Sequence, residues 1–334
     1  MLILPDHEYL DYCGRIDFEK KEEPVFIYAG SYVRLAFTGD SISVRLANRR
    51  AYFTDYIGYI LDGRQGKFSL AEDEEVHSYE IGKRLTGSTH ELLLFKRMDA
   101  CHYFRLCGFE LSGDGELLPQ AALSSRRMEV FGDSVSCGEV SEAIDYVGKE
   151  APKHDGEFSN SWYSYSWLTA RRLGARLHIT SQGGAALLDK TGWFCGPDYV
   201  GMESIYDKLQ YNPQLGALKS WSFGQWKPHV VIVAIGQNDA NPEDYMAEDY
   251  DCEKSVSWRK AYRAFLEKLM ALYPETQFIL ATTILGHDSS WDKAIDEVCR
   301  ELGSNRVHHF LYERFLPDFR GISGFPRRKK WLRS

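Results

Sequence analysis

Two patterns of hydrophobic and polar positions divide the chain near residue 120. Between residues 25 and 112, apolar and polar residues alternate in short runs, the clearest at residues 33–37, 42–46 and 57–61. The last run leads into Asp62-Gly63, a strong hairpin dipeptide. Period-two runs at this spacing predict a jelly-roll-like β-sandwich over residues 1–115, and we assign residues 116–127 to a linker.

From residue 128 onward, buried-type strands alternate with amphipathic helices. Apolar runs predict strands at residues 128–131, 230–235, 278–284 and 307–312, whereas helical spacing predicts helices at residues 160–173, 255–273 and 290–302. Such alternation predicts an α/β domain over residues 128–334, with a parallel sheet between helices. Ligands of these folds bind at the carboxyl ends of the strands.

Two turns at that edge carry candidate chemistry. Gly132-Asp133-Ser134 ends the first strand, and Gly236-Gln237-Asn238-Asp239 ends a later one. Serine on such a turn is a candidate nucleophile, and an asparagine amide can donate to the oxyanion of acyl transfer. Either turn alone is more often an ordinary turn or a helix cap. Together, in this order and strand context, they predict a hydrolase site.

Composition excludes several other functions. Apolar residues make up 44% of the chain and charged residues 26%, and the net charge of −8 argues against nucleic acid as a partner. The sequence lacks the ~18 continuous apolar residues that a membrane span requires. Metal motifs and a complete phosphate loop are absent, so we expect neither a metal nor a cofactor. Seven scattered cysteines indicate reduced thiols and a cytoplasmic protein, or a secreted one if a leader precedes this sequence.

The blocks at Gly132-Asp133-Ser134, Ser181-Gln182-Gly183-Gly184 and Gly236-x-Asn238-Asp239 resemble the first three blocks of the SGNH (GDSL-type) hydrolase superfamily. The preceding sandwich makes the chain most similar to carbohydrate esterase family two, the acetyl (xylan) esterases. The resemblance implies a flavodoxin-like hydrolase domain. It also implies an acetylated sugar or oligosaccharide as substrate.

The resemblance further implies a role for each site residue. Ser134 would form an acyl-enzyme, and its own N–H, the N–H of Gly184 or Gly183 and the amide of Asn238 would hold the oxyanion. We expect Asp133 to fix the turn. The candidate substrate contacts are Trp193, which could equally be a core residue, Asp133 and Asp239.

The C-terminus departs from the family pattern. Phe325 stands before Pro326 where the family has its base histidine, and Ile322 stands where an aspartate is usual. Eight basic-rich residues replace the closing helix, which suggests a truncated or frameshifted esterase. Because phenylalanine cannot accept a proton, Ser134 lacks its expected base. The best replacement is His287, on the loop after a predicted strand.

Three functions therefore remain open. The first is a carbohydrate O-acetyl esterase, impaired if the histidine is lost. The second is a catalytically dead homologue that binds carbohydrate. The third is another GDSL-type lipase or thioesterase, which the polar insertion at residues 139–158 disfavours.

Overall fold

The protein is described here by a computed structural model that covers residues 1–147, 149 and 155–312. Ile322 and Phe325, which stand where the family pattern has an aspartate and the base histidine, lie outside the described residues.

Residues 1–118 form twelve strands in two antiparallel sheets. In chain order the strands are β1 (Leu2–Ile3), β2 (Asp11–Cys13), β3 (Ile16–Asp17), β4 (Val25–Phe26), β5 (Tyr32–Phe37), β6 (Ile42–Arg50), β7 (Tyr56–Leu61), β8 (Arg64–Ser69), β9 (Val76–Gly82), β10 (His90–Lys96), β11 (His102–Leu111) and β12 (Leu117–Leu118). One sheet has the order β3-β4-β11-β6-β9, with β1 also paired to β11. The other has the order β12-β5-β10-β7-β8, with β2 also paired to β5.

One hydrophobic core is shared by both sheets, as a sandwich requires. Alternate residues of β5 and β10 from one sheet and of β6 and β11 from the other belong to a single buried cluster. The hairpin predicted at Asp62-Gly63 is also present between β7 and β8. Both residues have positive φ (49° and 75°), as a type I′ turn needs.

Sequence reasoning missed the polar strands of the sandwich. In β8 and β9 almost every residue is partly or fully exposed, so these strands lack the apolar alternation that marks a half-buried strand. They lie at the ends of their sheets, where one side has no neighbouring strand among the residues that the structure describes. The segment predicted as a linker contains β12, which pairs with Phe37 and Ala36 of β5.

The second part of the chain contains a parallel sheet. The strands are β13 (Arg127–Gly132), β14 (Arg176–Ser181), β15 (Lys208–Gln210), β16 (Lys219–Ser220), β17 (Val230–Ala234), β18 (Gln277–Ala281) and β19 (Val307–His309). Five of them form a sheet in the order β14-β13-β17-β18-β19, parallel throughout, while β15 and β16 form a separate hairpin. The order 2-1-3-4-5 is that of flavodoxin-like folds.

The helices of this domain are α1 (Ser134–Cys137), α2 (Tyr165–Arg172), α3 (Met202–Ile205), α4 (Tyr245–Glu248), α5 (Glu253–Leu272) and α6 (Ser289–Leu302). Helices α5 and α6 agree closely with the predicted ones. The helix predicted at residues 160–173 is divided at Ser164, whose ψ of 151° interrupts the turn and whose side chain caps α2. None of the described helices is long and apolar enough to cross a membrane.

A buried ion pair joins the two domains. Arg15, between β2 and β3, lies 2.9 Å from Glu129 of β13, and both side chains are completely buried. The guanidinium also donates to the carbonyl oxygens of Tyr206 and Lys208. The sandwich is therefore fixed against the parallel sheet that carries the candidate site.

Candidate active site

Ser134 lies at the carboxyl edge of the central strand, as predicted. Strand β13 ends at Gly132, and Asp133 caps the one-turn helix α1 by accepting a 3.0 Å hydrogen bond from the N–H of Val135. Glycine is required before the turn, because a Cβ on Gly132 would lie 2.1 Å from Oγ of Ser136. The tight turn leaves Ser134 only 8% exposed, at the N-terminus of α1.

The loop after β14 faces this serine. A Cβ placed on Gly183 would lie 3.8 Å from Cβ of Ser134, so the missing side chain keeps the approach to the serine open. The N–H of Gly183 donates to Oδ2 of Asp99 at 2.6 Å. Within the described residues the N–H of Gly184 has no acceptor, whereas its carbonyl accepts from Trp193. Of the two glycines, Gly184 therefore has the backbone donor available for an oxyanion.

Asn238 reaches the same junction from the turn after β17. Its Nδ2 donates to the carbonyl of Ala185 at 2.9 Å and lies 3.5 Å from Oδ2 of Asp133. Gly236, which starts this turn, has a φ of 134° that disfavours any residue with a Cβ. The three predicted blocks thus meet at one edge of the sheet.

Asp133 and Asp239 are completely buried. Asp133 accepts from Gln237 as well as Val135, and Asp239 accepts from the N–H groups of Leu187 and Leu188 at 2.7 and 3.1 Å. Burial raises the pKa of each carboxyl to about 7. Both hold the loops of the site, and neither lies open to a substrate.

Trp193 lies on the surface beside this site. Its N–H donates to the carbonyl of Gly184, which ties it to the loop facing Ser134, and its side chain is 64% exposed. It is therefore not a core residue. The neighbouring Phe194 is buried instead.

His287 is held by other partners. It lies between β18 and α6, with Nδ1 2.6 Å from the carbonyl of Leu285 and Nε2 3.0 Å from Oδ2 of Asp292. The other oxygen of Asp292 accepts from Thr282, so this carboxylate is itself fixed. Both ring nitrogens of His287 are therefore engaged by groups other than Ser134. Sequence order placed it at the correct edge but could not show which partner orients the ring.

Two carboxyl groups beside Ser134 were missed by sequence reasoning. Asp99 comes from the sandwich loop between β10 and β11, so only the three-dimensional contact reveals it. Glu139 follows Gly138, the residue that ends α1 with a φ of 79°. The sequence around Glu139 carries no motif that marks it as a residue of the site. In the described part of the chain, no group of three or more histidine, cysteine, aspartate or glutamate residues could hold a metal ion.

Comparisons with known proteins agree with this architecture. Residues 12–120 match the family model described as carbohydrate esterase 2 N-terminal. The cellulase/esterase CelE of Acetivibrio thermocellus is 27% identical over 272 residues, which is 81% of this chain but 30% of that protein. The chain therefore spans under a third of the length of CelE.

Two further proteins are similar over most of their length. An acetylxylan esterase / glucomannan deacetylase of Cellvibrio japonicus is 24% identical over 305 residues, or 90% of this chain and 79% of that protein. The structure of a family two carbohydrate esterase from Clostridium thermocellum in complex with cellohexaose superposes with a TM-score of 0.79 at 23% identity, covering 97% of this chain and 94% of the other. The chain thus joins a carbohydrate esterase 2 N-terminal domain to a hydrolase domain with the fold of the family two carbohydrate esterases, and that is the family it resembles.

Proposed function

We propose that this chain is a carbohydrate O-acetyl esterase, which removes acetyl groups from acetylated xylan or other acetylated sugars. The observation that carries the proposal is the position of Ser134, on the turn after β13 and facing the Gly183-Gly184 loop. The similarity to proteins named as esterases supports the same reaction.

In this mechanism the hydroxyl of Ser134 attacks the acetyl carbonyl and forms an acyl-enzyme that water then hydrolyses. The negative oxygen of the tetrahedral intermediate would be held by the N–H groups of Ser134 and Gly184. The amide of Asn238 would supply a third donor. One such donor is worth about a hundredfold or more in rate.

Trp193 is the proposed platform for a sugar ring. Aromatic faces suit the apolar faces of pyranose rings, and this side chain is exposed on the loop next to the serine. One similar structure contains cellohexaose, which supports a saccharide chain as the class of ligand.

Acetate release from acetylated xylan, and hydrolysis of p-nitrophenyl acetate, test the reaction directly. We expect Ser134→Ala to abolish both activities. Ser220→Ala is a matched control, because Ser220 is exposed on β16. Activity that survives in Ser134→Ala would assign hydrolysis to another group.

A catalytically dead homologue that binds carbohydrate is the second candidate. It is favoured by Phe325 at the expected histidine position and by the engagement of both nitrogens of His287. Calorimetric titration with cellohexaose, without any acetate release, would support this function over the first. Loss of that binding in Trp193→Ala would locate the ligand at this edge.

A further inference from the structure

The end of helix α1 directs the Glu139 backbone back toward Ser134. Gly138 adopts the left-handed conformation (φ 79°, ψ 31°), and the N–H of Glu139 donates to the carbonyl of Ser134 at 3.0 Å. A bond from the residue after the glycine to the first residue of the last turn is the Schellman motif. Because α1 is a single turn, this motif brings Glu139 back to the residue that begins the helix.

The carboxyl group of Glu139 meets that of Asp99 beside the serine. A Cβ on Gly183 would lie 3.0 Å from Oε2 of Glu139, 2.7 Å from Oδ2 of Asp99 and 3.8 Å from Cβ of Ser134. The three side chains therefore surround one point, the open face of Gly183. A residue larger than glycine there would separate them.

The two carboxyl groups differ in their hydrogen bonds. Asp99 is fixed by donors from Gly183 and Gln182 to one oxygen and from Cys101 to the other. Within the described residues Glu139 accepts no side-chain or backbone hydrogen bond, so no such bond holds its carboxyl in place. Asp99 holds the loop, and Glu139 is the group that remains available.

The surroundings of Glu139 make it suited to proton transfer near neutral pH. Burial first, and then the negative charges of Asp99 and Asp133, raise the pKa of Glu139 to about 8. The titratable Cys137 of α1 also interacts with this carboxyl. The buried Lys96 of β10 donates to the carbonyl of Asp99 at 2.7 Å.

We propose that Glu139 is the catalytic base of this site, taking the proton of Ser134 in the place of the family's histidine. The inference rests on the proposed esterase function and names the residue that would complete it. It assigns this role to the residue that follows Gly138, the C-cap of the first helix of the second domain, rather than to the C-terminal segment.

The proton and electron pairs balance through both half-reactions. As Oγ of Ser134 bonds to the acetyl carbon, its proton moves to the Glu139 carboxylate. Collapse of the intermediate breaks the bond to the sugar oxygen, which takes that proton from Glu139. Water then attacks the acyl carbon and gives one proton to Glu139. Collapse of this second intermediate breaks the bond to Oγ of Ser134, which takes the proton from Glu139, and acetic acid leaves with the other proton of the water.

The test is the pH dependence of kcat/KM for p-nitrophenyl acetate and for an acetylated xylo-oligosaccharide. For the unaltered chain we expect a rise through an apparent pKa near 8, because the carboxylate is the active form. Glu139→Gln should lower kcat about 100-fold or more and remove this rise, with little change in KM. Glu139→Asp should keep a pH-dependent rise at reduced kcat. Asp145→Asn, a control that removes an exposed carboxyl from the same segment, should change kcat less than twofold.

The outcomes separate this inference from the function on which it rests. Activity that depends on Ser134 but is retained in Glu139→Gln, with its pH profile unchanged, overturns the assignment of Glu139 and leaves the esterase intact. A chain no more active than Ser134→Ala contradicts both. If Glu139→Gln does not fold, as judged by near-ultraviolet circular dichroism, the pH profile of Glu139→Asp tests the assignment instead. A Glu139→Asp profile identical to that of the unaltered chain would also overturn the assignment.

Discussion

Oδ2 of Asp99 accepts a 2.6 Å hydrogen bond from the N–H of Gly183, which links a loop of the N-terminal sandwich to the loop that faces the candidate nucleophile. The same oxygen accepts from Gln182 at 3.0 Å. The sandwich therefore contributes a residue that fixes the candidate oxyanion loop, and this gives it a part in the site beyond support of the hydrolase domain.

Asp99 should also control the acidity of Glu139. Replacing Asp99 with asparagine removes a negative charge that raises the pKa of Glu139. We expect the midpoint of the pH–rate profile to move to lower pH in Asp99→Asn, with kcat reduced because Gln182 then loses its charged acceptor. Asp73→Asn, an exposed change in the sandwich, should leave the midpoint in place. An unmoved midpoint in Asp99→Asn would contradict this coupling.

Glu139 should make stability depend on pH. Its pKa is raised from 4.5 to about 8 in the folded state, so its contribution to folding is fully present below pH 4.5 and is lost as pH rises through about 8. Glu139→Gln has no charge to bury. Its melting temperature should therefore rise relative to that of the unaltered chain as the pH is raised from 5 to 9. A gain of about 1 kcal/mol corresponds to about 2–4 °C for 150–250 residues, so a smaller shift is expected for this longer chain. A difference in melting temperature between the two proteins that stays constant with pH across that range would refute the expectation.

Sequence patterns predicted four of the five strands of the parallel sheet, the two long helices α5 and α6 and the position of Ser134, because each of these depends on local periodicity or on the end of a strand. The same patterns could not predict Asp99, since its partner Gly183 is distant in sequence. Strands β8 and β9 were missed for a related reason. Their pairing with β7 and β6 stabilises them, while their own residues are largely polar.

His287 shows a second limit of sequence reasoning. The order of strands placed it on the loop after β18, and the structure has it on that loop. Its ring orientation is set by Asp292, a residue of α6 that carries no sequence signal for this pairing. A histidine chosen as a candidate base from its sequence position can therefore be assigned that role only when the hydrogen-bond partners of both ring nitrogens are known.

Trp193 should affect saccharide substrates selectively. Because its side chain is exposed beside the site, Trp193→Ala should raise KM for acetylated xylo-oligosaccharides several-fold through loss of the contact with a sugar ring. It should leave p-nitrophenyl acetate hydrolysis nearly unchanged. Leu218→Ala, another exposed apolar residue, is the matched control. Equal loss with both substrates would indicate a structural role for Trp193.

The ion pair between Arg15 and Glu129 should hold the two domains together. Breaking a buried pair by removing one partner leaves an uncompensated charge and costs about 3–5 kcal/mol. We expect this loss in the free energy of unfolding of Arg15→Met, measured by urea denaturation. Arg15→Met combined with Glu129→Gln should recover part of it. A cost below about 1 kcal/mol in the single variant would contradict this prediction.

Trapping the acyl-enzyme would show directly whether Ser134 is the nucleophile. The chain is mixed with an acetylated xylo-oligosaccharide, quenched in acid and digested, and the peptide that contains Ser134 is weighed by mass spectrometry. We expect an added acetyl group on Ser134 that is absent from Ser134→Ala. We also expect acetate release that depends on this serine. An unmodified Ser134 with acetate release no faster than that of Ser134→Ala would contradict it.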